Sequence, residues 1–158
     1  MKAASAQEIK QALKALDQKA LLEICLRLAR HKKENKELLT FLLFEADDIP
    51  AYIKAVNEQI EEGFNDMNDS TFYLARKSIR KILRDAGKYI RYSGNKTVEI
   101  EVLLQFCNSF KTIKASWQKA PALANLYAAQ LKKAAAAIEG LHEDLQYDYR
   151  SHLDDLSQ

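Results

Sequence analysis

The chain has 158 residues, 47% of them apolar and 29% charged, with only four glycines and two prolines. That is enough for one domain with its own core, too short to expect two, and unlike the composition of an extended disordered chain. The net charge of +2 is bland, and the longest purely apolar runs, Phe41 to Phe44 and Ala134 to Ile138, fall far short of the roughly 18 residues a membrane span requires.

The opening MKAASAQEIK has no apolar signal core, so the expectation is a soluble cytoplasmic protein with no membrane association. Cys25 and Cys107 stand 82 positions apart, each inside an apolar helical pattern and without a metal-ligand neighbour. Both are expected to be buried structural thiols.

Ser5 followed by Glu8 has the form of a capping box that starts a first short helix with Ile9, Ala12, Leu13 and Leu16 on one face. Asp17 is placed to cap a second helix carrying Leu21, Leu22, Cys25, Leu28 and Ala29. The cations around Arg30, His31, Lys32 and Lys33 suit its C-terminal end. A third helix uses Leu38, Leu39, Phe41, Leu42 and Phe44.

Asp47-Asp48-Ile49-Pro50 marks a boundary, because an aspartate satisfies free amides and proline is tolerated in a first helical turn. The fourth helix is expected to run to about Met67, with Tyr52, Ile53, Val56, Ile60, Phe64 and Met67 buried and Glu58, Glu61, Glu62 and Asp66 opposite. A fifth, capped by Asp69 or Ser70 and ended by Gly94, spans Thr71 to Ser93. A sixth runs from Val98 to Trp117 around Leu103, Leu104, Cys107, Phe110 and Trp117.

From Pro121, apolar residues recur at three- and four-residue spacing from Tyr127 through Ile138, Leu145 and Leu153. A glycine within a helix costs only about 1 kcal/mol relative to alanine. One long C-terminal helix, kinked near Gly140, is therefore the expectation, and its seam would also serve a homodimer. No stretch alternates with a strand period. The reading is all-α: a single domain over residues 1 to 158, with about seven helices in an irregular antiparallel bundle or a short superhelix.

Charge is segregated along the chain. Residues 57 to 70 balance to −5, residues 71 to 96 to +7, and residues 139 to 158 to −5. Wound at 100° per residue, the fifth helix gathers Arg76, Lys77, Arg80, Lys81, Arg84, Lys88 and Arg91 in an arc of about 140°. Phe72, Ala75, Ile79, Ile82, Leu83, Ala86, Tyr89 and Ile90 fill a separate arc of about 120°. Such a face can dock an acidic protein surface, or neutralise the phosphates of nucleic acid with Tyr73 and Tyr92 available to stack on bases. It can also be merely solvated, or paired with the acidic helix before it.

His142, Glu143, Asp144, Asp148 and His152 cluster near the C-terminus without a metal signature, and a solvated acidic face is the favoured reading. No nucleophile elbow or phosphate-binding glycine loop is present, so neither catalysis nor a cofactor is expected. Phe106, Phe110 and Trp117 suit a core as well as a docking patch, and the core reading is preferred.

The segment LKALDQKALLEICLRLARHKKENKELLTFLL, from Leu13 to Leu43, resembles the opening of a bacterial all-helical domain family of unknown function. ARKSIRKILRDAGKYIRYSG, IEVLLQFCNSF and AAAAIEGLHEDLQYDYRSHLDDL are similar to its later parts. The resemblance implies a stand-alone, all-helical intracellular protein and carries over no activity, cofactor or catalytic residue. Where family members carry a proline- or lysine-rich insert, this chain has GFNDMNDS, which weakens the nucleic-acid reading. The leading expectation is thus a non-enzymatic interaction or scaffold module binding an acidic partner. The alternative is nonspecific RNA or DNA binding by the same residues, and third comes a helical protein with no ligand at this face.

Overall fold

The structure is a computed structural model that describes residues 2–113 and 116–158, and among these every regular element is helical. Two compact units are formed, residues 1–44 and residues 45–158.

The first unit holds α1 (Ala6–Lys14), α2 (Gln18–His31) and α3 (Lys33–Thr40), from which a π-helical turn continues over Phe41–Glu45. The capping box forms as expected: the Glu8 amide donates to Ser5 Oγ at 3.3 Å, and the Ser5 amide donates to Glu8 Oε2 at 2.7 Å. The Ser5 hydroxyl, donating to Glu8 Oε2 at 2.7 Å, and then the Ser5 amide hold the Glu8 carboxyl below its usual range. Asp17 caps α2 through the Ala20 amide at 2.7 Å. The α2 and α3 helices pack together, and the Asn35 side chain donates to the Leu28 carbonyl at 2.9 Å. None of α1, α2 or α3 contains a buried residue.

The second unit is a bundle of α4 (Ile49–Asn65), α5 (Phe72–Ser93), α6 (Lys96–Lys111), a 3-10 turn (Trp117–Lys119), α7 (Pro121–Ile138) and α8 (Glu143–Ser157). The centre is α6, which packs on α4, α5, α7 and α8. Nine of its sixteen residues are buried, distributed all round the helix, as a helix enclosed by neighbours requires. Phe110 is fully buried among Phe64, Phe106, Trp117 and Tyr127, its ring centre 5.1 to 6.2 Å from theirs. These aromatics are core, as the sequence suggested for Phe106, Phe110 and Trp117.

Two expectations about helix ends are corrected. Trp117 is not on the sixth helix: α6 ends at Lys111, where Thr112 Oγ1 donates to the Ser109 carbonyl at 2.7 Å, and Trp117 reaches the core from the 3-10 turn. The long C-terminal helix is two helices. After Ile138 the amides of Gly140 and Leu141 bond three residues back rather than four, and His142 starts α8 as its N-cap. Gln146 secures the corner by donating to the Leu141 carbonyl at 2.8 Å and the Glu139 carbonyl at 3.3 Å. Because α8 folds back on α7, part of the predicted seam is spent within the chain: Tyr127, Ala134 and Ile138 are buried, and the Tyr127 hydroxyl donates to the Leu156 carbonyl at 2.7 Å.

Candidate functional site: the cationic face of α5

Helix α5 starts at Thr71, whose Oγ1 accepts from the Leu74 amide at 3.2 Å, so the cap lies one residue beyond Ser70. Asn68 explains the shift, because it takes the Ser70 amide and hydroxyl into a local turn at 3.1 and 2.7 Å. Gly94 ends the helix in the left-handed region at φ 58°, as expected.

The apolar arc of α5 faces the bundle from Ala75 onward, whereas Phe72, expected in that arc, is exposed in the first turn. Ala75, Ile79 and Ala86 are buried, and Ile82, Leu83, Tyr89 and Ile90 are half-buried. Helix α4 approaches closely at Gly63, where a Cβ would stand 3.0 Å from Ile82 Cγ1. Tyr52 of α4 donates its hydroxyl to the Tyr89 carbonyl at 2.9 Å, and burial pushes that phenol far above the ordinary tyrosine range. The α4–α5 packing therefore fixes the rotation of α5 and turns its cations outward.

Of the seven predicted cations, Arg76, Lys77, Arg80, Lys81, Arg84 and Arg91 are exposed. Lys88 differs: its side chain is only 17% exposed and reaches Asp85 at 3.3 Å. Arg84 also leans on Asp85, at 3.8 Å. Among the described residues no carboxylate stands within ion-pair distance of Arg76, Lys77, Arg80, Lys81 or Arg91. Of the acids of α4, Glu58 lies beside Lys54 at 3.9 Å and Glu61 accepts from Gln105 of α6 at 2.8 Å.

Arg76, Arg80 and Arg84 recur every four residues, about 6 Å apart along the axis. Tyr73, 75% exposed, extends the same track toward the helix N-terminus. Tyr92 sits differently, half-buried with its ring 6.2 Å from that of Tyr89. Ser78 and Lys81 join the track to a groove of about 370 Å³ between α4 and α5, which Gln59, Asp66 and Asn68 also line. Sequence periodicity does not reveal that groove, because its two walls come from different helices.

The remaining sequence candidates are dispersed. His142 accepts from the Asp144 amide at 3.5 Å as the cap of α8, and Asp144, Asp148 and His152 are all exposed. No His, Cys, Asp and Glu gather as a metal site among the described residues. Cys107 is buried, and burial pushes its thiol up to about 12. Cys25 is exposed, contrary to expectation, because α2 buries no residue.

The protein is thus an all-α helical-bundle protein, and no helix among its described residues is long and apolar enough to cross a membrane. Comparison of the chain with family models, curated proteins and solved structures gives no match.

Proposed function

We propose that the protein is a non-enzymatic interaction or scaffold module of the cytoplasm that docks an acidic protein surface on the cationic face of α5. One observation carries the reading: Arg76, Lys77, Arg80, Lys81 and Arg91 are solvent-exposed, with no carboxylate at ion-pair distance among the described residues. A row of like charges held on a rigid helix repels itself, and an acidic partner relieves that repulsion while accelerating encounter. Arg84 and Lys88, both beside Asp85, edge the surface.

A second reading, single-stranded nucleic acid, is favoured by one further observation: Tyr73 presents an exposed ring in line with Arg76 and Arg80, an arrangement that combines stacking with phosphate contact. The two readings separate by titration of labelled poly-glutamate and labelled single-stranded RNA against the full chain at several salt concentrations. Docking of an acidic protein surface predicts poly-glutamate binding that R80E/K81E/R84E abolishes with far-UV helicity unchanged. Nucleic-acid binding predicts tighter RNA binding, weakened by Y73A, with a log–log salt slope of about −3.5 for five phosphates neutralised on a single strand. A folded triple variant that still binds either probe removes this face from the account.

A further inference from the structure

Helix α8 is the acidic counterpart of α5. Glu143, Asp144, Asp148, Asp154 and Asp155 are all exposed, against one base, Arg150, which Glu139 holds at 2.8 Å. Asp144 has His142 beside it at 3.4 Å, and the other four are in no ion pair among the described residues. Helices α5 and α8 belong to one compact unit and both pack on α6, yet no ion pair joins them among the described residues. Fixed in that way, the two charged faces do not neutralise each other within one copy.

The two helices also carry their charges in the same pattern. On α5, Arg80, Arg84, Gly87 and Arg91 follow one another at spacings of four, three and four, inside an arc of about 60° that faces solvent. On α8, Asp144, Asp148, Ser151 and Asp155 repeat those spacings inside an exposed arc of the same width. Each stripe is about 16 Å long, and the four-three alternation is that by which two helices meet along a seam. In a parallel pair, residues of equal phase face each other across the seam. With Arg80 level with Asp144, the layers that follow are Arg84 with Asp148, Gly87 with Ser151, and Arg91 with Asp155. Three layers pair opposite charges, and the small residues of the other let the helices approach. Laid antiparallel over the same layers, only Arg80 with Asp155 and Arg91 with Asp144 pair, while Arg84 meets Ser151 and Asp148 meets Gly87.

A second observation marks the same two helices. Beyond residue 44, the large apolar side chains exposed among the described residues are Phe72 and Tyr73 on α5 and Leu145 and Tyr147 on α8. Tyr73 continues the α5 stripe toward its N-terminus, and Leu145 and Tyr147 flank the α8 stripe, one on each side. Apolar side chains beside a charged stripe exclude water from it once a partner is seated.

We infer that the cationic stripe of α5 takes the acidic stripe of α8 from a second copy of this chain, the two helices running parallel. This rests on the reading of α5 as a docking face for an acidic protein surface, and it names that surface. Each copy carries one stripe of each sign, so the contact is head-to-tail. Opposite charge steers the encounter, and salt screens it.

The test is sedimentation equilibrium of the full chain from about 1 to about 100 µM in dilute and in concentrated salt. In dilute salt the mass should rise above 18.0 kDa with concentration, and in concentrated salt it should return to 18.0 kDa. R84E/R91E leaves both stripes acidic and D148R/D155R leaves both basic, so each variant alone should associate about tenfold more weakly or worse. An equimolar mixture of the two should associate as wild type does, because the α5 of one and the α8 of the other still form the native contact. The chain carrying all four changes should also recover association, through the exchanged charges. The substituted residues are exposed, and far-UV circular dichroism checks that the helices persist. A wild-type mass of 18.0 kDa in dilute salt overturns the inference. So does association that either reversal leaves intact, that concentrated salt strengthens, or that the mixture fails to restore. Labelled poly-glutamate, titrated against wild type and R84E/R91E, separates the two failures. A monomer whose α5 still binds poly-glutamate loses only the second copy, and one that binds neither loses the acidic docking face as well.

Discussion

Replacing Tyr127 with phenylalanine isolates the bond that pins the end of α8. The Tyr127 residue is 7% exposed, and its hydroxyl reaches the Leu156 carbonyl at 2.7 Å. The ring, packed 5.3 Å from Phe110 and 4.8 Å from Trp117, would stay in place. The Leu156 carbonyl keeps a second donor, Lys111 Nζ at 3.4 Å, so the acceptor is not stranded. The loss should therefore be that of one ordinary hydrogen bond, about 1 kcal/mol, or a fall in Tm of about 2–4 °C. Tyr127→Ala, which also empties the ring's site, should cost about 3–5 kcal/mol.

Urea unfolding followed by far-UV circular dichroism reads both variants, with the slope m unchanged. Hydrogen exchange should show Y127F loosening the last turns of α8 before α6. A Y127F variant as unstable as Y127A, or one with α8 exchange unaltered, would refute the anchoring role. The same phenol makes a pH prediction. Burial, followed by the nearby Cys107 thiol, pushes it up to about 12, from about 10 in an unfolded chain. A raised pKa in the folded state means that the stability contribution is complete below pH 10 and is lost as pH rises through 12. Stability should fall over that window, and less steeply in Y127F than in wild type.

Phe110→Ala should be among the most damaging single truncations, because it opens a cavity where Phe64, Phe106, Trp117 and Tyr127 converge. A loss of about 3–5 kcal/mol is expected by denaturant titration, and a loss under 1 kcal/mol would contradict the central position of α6. Gly94→Ala should cost about 1 kcal/mol. Nothing lies within 4 Å of an added Cβ there, so the cost comes wholly from the φ of 58°. Gly94→Asn, which tolerates that conformation, should recover most of the loss in the same assay.

Much of the fold was legible because it is written in local signals. Ser5 with Glu8, Asp17, Asp48 before Pro50, Pro121 and Gly94 each satisfy or release backbone groups within a few residues, so helix starts and stops can be read without knowing the neighbours. The two arcs of α5 were legible for the same reason: a period of 3.6 separates residues into faces whatever those faces meet.

The misreadings fall where a distant contact decides. The apolar spacing from Tyr127 to Leu153 suits one helix or two, and nothing in it says that Gln146 will satisfy the Glu139 and Leu141 carbonyls across a corner. Trp117 fits the apolar phase of the sixth helix, yet it enters the core from a separate turn. Cys25 has the neighbours of a core residue, but burial depends on what packs against α2, and the residue is exposed.

Sequence by itself determined that the chain is helical, where most helices begin and end, and that seven cations share one face, because capping and periodicity act within a few turns. Only the tertiary structure decided which of those cations are exposed and without an acid at ion-pair distance, that Lys88 is drawn to Asp85, and that the C-terminal helix folds back on itself. Exposure and charge pairing are set by the other helices of the bundle, which no single amphipathic pattern records.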